Sequence, residues 1–203
     1  MGKTTRRRRK VQGPELTIAG TELVSSVVGI RADFAERTIY LVDTITEEMA
    51  FLFMATISIM DRSSGPIRVI LMSPGGSEPA GWAIYDRIRE TRNPVIVDGY
   101  GAVWSMAALI LQAGEVRRMA PSCRYMMHAG SAELGAMDQR NIVAAGEECK
   151  QQNEAYLRAI SDRSGVSMAK LWGFWNDEAF IPADQALKMG LIDDIIPHNE
   201  NKK

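Results

Sequence analysis

The sequence has few of the residues that build disulfide frameworks and metal sites. Its 203 residues include two cysteines, Cys123 and Cys149, and two histidines. The two cysteines lack metal-type spacing and are too few for a disulfide framework, which favours a reducing compartment. The twelve methionines are scattered through core-like segments rather than clustered as soft-metal ligands. No metal or other cofactor is therefore expected.

Net charge and long apolar runs are also missing. The 24 basic and 25 acidic residues give a formal charge of -1, which provides no general attraction to nucleic acid or acidic membranes. The basic run at residues 6–10 is interpreted as a solvated end, with docking or nucleic-acid contact as the alternative. No run approaches the roughly 20 apolar residues of a membrane span, and no apolar segment follows the basic start as in a secretory signal. We expect a cytoplasmic protein.

The apolar fraction, 46%, is enough for a full core, and the length predicts one domain. We expect a basic, disordered tail over residues 1–15, the domain over 16–197 and a polar tail over 198–203. Residues 16–28 have only weak strand character.

Short apolar strands alternate with helices along the middle of the chain. Strands are predicted at 38–42, 67–72 and 95–97, each followed by a helix, at 47 to about 61, 78–91 and 106–112. The Thr44-x-x-Glu47 spacing predicts a capping box for the first helix. This alternation predicts parallel strands joined by crossover helices, an α/β fold.

A helix of about 25 residues is predicted from Asp138 to about Asp162. Because charges are mixed among its apolar residues, we expect it to project and meet another subunit; the alternative is a surface helix packed on its own domain. A last helix at 183–189 and a strand at 191–196 complete the domain.

Ser105 follows an apolar strand and two glycines and directly precedes a run of helix-forming residues. At a strand-to-helix turn the first helical N–H groups are unpaired, and the helix dipole stabilises a developing oxyanion. Taken alone, Ser105 is interpreted as an ordinary helix N-cap, because Ser is among the commonest N-cap residues; the rest of the chain reverses that interpretation.

Of the two histidines, His198 lies in the polar tail and is interpreted as a bystander. His128 ends the apolar segment Tyr125-Met-Met-His128. The carboxyl edge of such strands is where α/β proteins build their sites. A serine at a helix start and a histidine at a neighbouring strand end are the minimum for a nucleophile and its base.

Four motifs occur in the order found in one known family. They are Ser73-Pro-Gly-Gly76, the Gly-x-x-x-Ser-Met-Ala pattern at 101–107, Met-Met-His128 and the Ala183-x-x-Ala-x-x-x-Gly-Leu-Ile-Asp193 ending. Together they resemble ClpP, the proteolytic subunit of the ATP-dependent Clp protease, over about residues 37–196. The resemblance implies a ClpP/crotonase-like superhelix of repeated strand–helix units with a protruding long helix.

The resemblance also implies site roles. Ser105 corresponds to the nucleophile, His128 to the general base, and the N–H groups of Gly76 and Met106 to the oxyanion hole. The acid position holds Glu178, with Asp177 beside it as the alternative. Trp104 stands where the family has a small residue, Ala129-Gly130 replaces Gln-Pro, and the lead into the long helix at 131–135 is shortened, so the chain looks like a divergent member.

The implied function is a serine endopeptidase that cleaves unfolded polypeptides within a chamber of two stacked heptameric rings. The sequence has no Gly-x-x-x-x-Gly-Lys-Ser/Thr loop, so a separate AAA+ Clp ATPase is the expected partner. The alternatives are a non-catalytic ring subunit, a phage capsid-maturation protease that needs no ATPase, and a crotonase-type acyl-CoA enzyme.

Overall fold

A computed structural model describes residues 30–130 and 138–198, and within these segments the chain forms eight strands and six helices. In chain order they are β1 Ile30–Asp33, β2 Thr38–Val42, α1 Glu47–Met60, β3 Ile67–Ser73, α2 Glu78–Glu90, β4 Val95–Trp104, α3 Met106–Ala113, β5 Val116–Met119, β6 Arg124–Met126, α4 Gln139–Ser164, α5 Met168–Asn176, β7 Ile181–Pro182, α6 Ala183–Met189 and β8 Asp194–Ile195.

The centre of the fold is a parallel sheet in the order β2-β3-β4-β5-β8, with β1 antiparallel to β2 at one edge. Helices α1, α2 and α3 follow successive strands; α2 packs between α1 and α3, and α1 and α3 contact the sheet. The predicted α/β class with parallel strands and crossover helices is confirmed. The predictions for residues 1–29, 131–137 and 199–203 lie outside the described residues.

Strand β4 is much longer than predicted. Its first half, Ile96 to Gly99, pairs with β5, and its last three residues, from Ala102 to Trp104, pair with β6. The two glycines that follow the predicted strand, Gly99 and Gly101, lie inside β4. A side chain at Gly99 would meet Val103 Cγ2 at 2.7 Å, so close packing favours glycine there. The length of β4 places the start of α3 beside the end of β6.

The capping box predicted at Thr44 is wrong. The N-cap of α1 is Thr46, whose hydroxyl accepts a hydrogen bond from the Met49 N–H at 3.1 Å. Ile45 is held extended because its N–H donates to the Gly75 carbonyl and its carbonyl accepts from the Ser77 N–H, each at 2.8 Å. The helix therefore begins only after Ile45, and Glu47 binds Ser77 instead.

Helix α4 begins after the N-cap Asp138 and buries only Tyr156, Leu157 and Ile160. Its first half exposes Ile142 and Val143. The predicted contact of this helix with another subunit stays a prediction. No helix within residues 30–130 and 138–198 is both long enough and apolar enough to cross a membrane.

A buried ionic cluster fastens the far end of α3. Arg117, 4% exposed, pairs with Asp193 and donates to Gln112 Oε1 at 2.7 Å. Arg163 of α4 donates to the backbone carbonyls of Gln112 and Gly114 at 3.1 and 2.6 Å. Carbonyls at the C-terminal end of a helix have no partner within the helix, so Arg163 satisfies them. These bonds hold α3 against α4 and the C-terminal strand.

Asp61 links the end of α1 to the turn before β4. Its Oδ1 accepts from the backbone N–H groups of Arg92 and Asn93 at 3.1 Å each, and from Asn93 Nδ2 at 2.8 Å. Burial alone would raise the pKa of this carboxyl, but the hydrogen bonds from Asn93 and Arg92 outweigh it and lower the pKa to about 2.

Asp61→Asn is expected to destabilise the protein by about 1–2 kcal/mol at neutral pH, because charge-assisted hydrogen bonds are lost. The folded pKa lies below the unfolded value of about 3.9, so this stabilisation is complete above that value and is lost as the pH falls toward about 2. Urea unfolding of both proteins between pH 7 and pH 3 measures it. A stability difference that does not shrink below pH 4 would contradict the assignment.

Candidate active site

Ser105 occupies a sharp turn between β4 and α3. Its backbone has φ 52° and ψ -125°, a combination that residues with a side chain rarely adopt. Such a conformation costs about 1–3 kcal/mol and persists only where neighbouring groups enforce it. Ser105 is therefore more than the ordinary N-cap of α3, and its hydroxyl makes no capping bond to that helix.

Three hydrogen bonds hold the Ser105 backbone. Its N–H donates to the Met126 carbonyl of β6 at 2.9 Å. Its carbonyl accepts from the Ala108 N–H at 2.9 Å and from the Tyr156 hydroxyl of α4 at 2.8 Å. Burial raises the pKa of Tyr156 well above its ordinary value, so its hydroxyl stays a donor. Three separate elements thus enforce the turn.

The loop after β3 lies directly against this turn. A Cβ on Gly75 would meet Ser105 Cβ at 2.5 Å and the Met106 nitrogen at 3.0 Å, and Gly75 has φ +97°. The Ser73 hydroxyl accepts from the Gly75 N–H at 3.0 Å and fixes the loop. Only glycine permits this approach.

Two backbone N–H groups beside the cavity, those of Gly76 and Met106, make no backbone hydrogen bond within the described residues. Gly76 forms a parallel bridge with Ile45 through the Gly75 carbonyl and the Ser77 N–H, so the N–H of Gly76 itself points away from Ile45. Met106 is the first residue of α3, where an N–H has no partner within the helix. Both residues line the same cavity.

That cavity, of about 490 Å³, also brings Ser105 and His128 together. His128 lies two residues beyond β6, whose Met126 pairs with Trp104 of β4. The pairing of β4 with β6 is what carries both side chains to one place. Among the hydrogen bonds of the described residues, none joins the Ser105 hydroxyl to the imidazole.

The two candidate acids lie elsewhere. Asp177 and Glu178 are exposed, do not line the cavity and form no hydrogen bond or ion pair with His128 in the described part of the chain. Asp177 is the C-cap of α5, and Glu178 has φ 47°. The acid is therefore the one predicted residue that this structure does not bring to the others.

Trp104 packs outside the cavity. Its ring contacts the Phe180 ring edge-on, with the ring centroids 5.2 Å apart. Phe180 lies two residues after Glu178 in the chain. Its Nε1 is buried without a hydrogen-bond partner among the described residues. The Trp104 ring thus joins β4, the strand that leads to Ser105, to the segment that contains Glu178, and it does not line the cavity.

Sequence reasoning missed the part that α4 and α5 play. Asn153, Tyr156 and Trp175 line the cavity, although they are 48 or more positions beyond Ser105. In the sequence, Tyr156 is only one of the apolar positions of the predicted long helix. Nothing in the local sequence shows that its hydroxyl reaches the turn at Ser105.

The other candidate groups form no second site. His198 is exposed and does not line the cavity. Burial raises the pKa of the Cys123 thiol to about 12, so it is a poor nucleophile. Within the described ranges no group of His, Cys, Asp and Glu residues could hold a metal ion.

Comparison with known proteins identifies the family and the fold. The profile of the Clp protease family matches residues 25–199. The ATP-dependent Clp protease proteolytic subunit 3 of a Synechococcus species is 33% identical over 167 residues, which are 80% of this chain and 84% of that protein. Proteolytic subunit 2 of Prochlorococcus marinus is 31% identical over 171 residues, 81% of this chain and 84% of the relative.

A solved structure agrees. A ClpP1 point mutant from Listeria monocytogenes superimposes with a TM-score of 0.75 at 25% identity, covering 84% of this chain and 96% of that one. The fold is thus that of ClpP, as the sequence predicted. The chain belongs to the Clp protease family, as a divergent member.

Gly75→Ala is expected to destabilise the protein by about 2–4 kcal/mol, because its Cβ would overlap the Ser105 turn and φ is positive. Gly146→Ala is the matched control: it lies on α4 with nothing within 4 Å of an added Cβ, and should be neutral or slightly stabilising. Thermal unfolding compares the two. Equal melting temperatures would contradict the close packing of the Gly75 loop.

Proposed function

We propose that this chain is a serine endopeptidase in which Ser105 attacks a peptide carbonyl and His128 accepts the hydroxyl proton. The observation that carries this is the cavity lined by Ser105, His128, Gly76 and Met106, residues from three distant parts of the sequence. Apo active sites often lack the tight hydrogen bond between nucleophile and base, which forms when substrate binds.

In the proposed reaction, the Ser105 oxygen bonds to the carbonyl carbon as its proton passes to His128. The N–H groups of Gly76 and Met106 stabilise the oxyanion that develops. The C–N bond then breaks, the leaving amine takes the proton from the imidazolium, and an acyl-enzyme remains. Water, activated by the same imidazole, releases the peptide acid.

The acid that would orient His128 is assigned to Glu178, with Asp177 as the alternative. The strand β7 begins at Ile181, shortly after Glu178, and Tyr125 of β6 pairs with Ile181. Extended by three residues, this antiparallel register would set Glu178 opposite His128, which supports Glu178 as the acid. The Trp104–Phe180 contact ties this segment to β4.

The assembly we propose is the ClpP type: two stacked heptameric rings that enclose the active sites, in the cytoplasm. Exposed Ile142 and Val143 on the first half of α4 support contact with another copy. Unfolded polypeptides are the substrates, delivered by an AAA+ Clp ATPase. The curated relatives are named subunits of an ATP-dependent protease, which supports that partner.

Ser105→Ala is expected to abolish labelling by a fluorophosphonate probe and to lower peptidase activity on a short fluorogenic peptide by at least about 10⁴-fold. The loss follows because the nucleophile itself is removed. Ser122→Ala, in an exposed turn before β6, serves as the control and keeps full labelling.

The labelling experiment, together with two further assays, separates the rival functions. A chain that is folded but neither labelled nor active is a non-catalytic subunit. Activity on folded capsid precursor without any ATPase indicates the maturation protease. Binding of coenzyme A without labelling indicates a crotonase-type enzyme.

Glu178→Gln is expected to lower kcat by about 10³- to 10⁴-fold with little change in KM, because the imidazole loses its orientation and the charge that stabilises the imidazolium. Asp177→Asn, one residue away and equally exposed, should stay within about twofold of the wild type. Steady-state kinetics of both variants decide the assignment. The reverse result would give the role to Asp177, and no effect of either would remove the acid from the mechanism.

A further inference from the structure

One wall of the cavity at Ser105 is acidic. Glu78 is the first residue of α2, lies two positions after Gly76, and lines the cavity. It is the one carboxylate among the described residues that line it, and no lysine or arginine is among them. Thr44, Ser77 and Asn153 add neutral polar groups to the lining.

A second carboxylate, that of Glu47, is hydrogen-bonded to the cavity-lining residue Ser77. The Ser77 hydroxyl donates to Glu47 Oε1 at 2.6 Å. This hydrogen bond lowers the pKa of Glu47, so the carboxylate is charged at neutral pH. In the described part of the chain neither Glu47 nor Glu78 has a basic partner in an ion pair. Within the described residues their negative charge is therefore not neutralised by an ion pair.

Glu78 is close in the chain to Gly76, whose N–H would bind the substrate carbonyl, and both residues line the cavity. The carbonyl carbon that Ser105 attacks would lie close to the N–H of Gly76, and the side chain on the N-terminal side of the cleaved bond is one atom from that carbon. Glu78 is two residues from Gly76 on the same cavity. The apolar stem of a long side chain can lie along Pro74 and Trp175, which also line it.

We propose that the cavity favours substrates with lysine or arginine immediately before the cleaved bond, with Glu78 as the residue that binds the cationic group and Glu47 adding to the field. The inference rests on the proposed endopeptidase function. The polar Ser77 and the carboxylate of Glu78 make the wall a poor place for a large aliphatic side chain, because their solvation would be lost without a new partner.

The test uses fluorogenic peptides that differ only in the residue before the cleaved bond: lysine, glutamine, leucine or glutamate. For the wild type we expect kcat/KM for lysine to exceed that for glutamine by about 3- to 30-fold, with glutamate the poorest, since a partly exposed ion pair is screened. The preference should weaken in 1 M salt.

Variants assign the preference to Glu78. Glu78→Gln should bring the lysine and glutamine peptides to within about twofold, Glu78→Asp should keep most of the preference, and Glu78→Lys should favour the glutamate peptide. Glu90→Gln, at the other end of α2 and exposed, is the matched control and should leave the preference unchanged. Melting temperatures verify that each variant is folded.

The outcomes separate this inference from the function on which it rests. If Ser105 is labelled and peptides are cleaved, but leucine is preferred or Glu78→Gln lowers all four rates equally, the charge selectivity is overturned and the peptidase stands. If no peptide is cleaved and Ser105 is not labelled, the proposed function itself fails.

Discussion

The backbone of Ser105 is the constraint on which the site depends. A positive φ at a non-glycine residue is unfavourable by itself, so it must be imposed by groups around it. The carbonyl of Met126 and the hydroxyl of Tyr156 do this, from β6 and α4. Each of these elements also brings a residue to the cavity, His128 after β6 and Asn153 on α4. The bonds that hold the turn therefore also assemble the cavity.

The second constraint is close approach of backbone to backbone. Gly75 lies against the Ser105 turn, and Gly76 is bridged to Ile45, where an added Cβ would overlap the Ile45 backbone. The same bridge delays the start of α1 and leaves Glu47 free to accept a hydrogen bond from Ser77. The positions of Gly76, the candidate oxyanion donor, and of the acidic wall thus follow from one short contact between two loops at the carboxyl ends of β2 and β3. This is the edge of the sheet where α/β proteins place their sites.

How far the sequence predicted each element depended on how local the causes were. The helix at 183–189 and the strand at 38–42 were predicted at their observed bounds, since capping, glycine stops and β-branched runs act over a few residues. The predicted end of β4 was seven residues too early, because the strand is extended by pairing with β6, which lies more than twenty positions further along the chain. The predicted N-cap of α1, Thr44, was wrong for a similar reason: the bridge between Ile45 and Gly76 outweighs the local Thr-x-x-Glu pattern, and Thr46 is the N-cap.

By itself the sequence determined the α/β class, the family and the identity of the candidate nucleophile, base and oxyanion donors, because strand–helix periodicity and motif order are properties of the linear chain. Tertiary structure alone decided that Tyr156 enforces the turn at Ser105, that Trp104 packs on Phe180, and that Glu78 faces the cavity without a basic partner among the described residues. These contacts join residues far apart in sequence, and their energies exist only once the chain has folded and water has been excluded from between them.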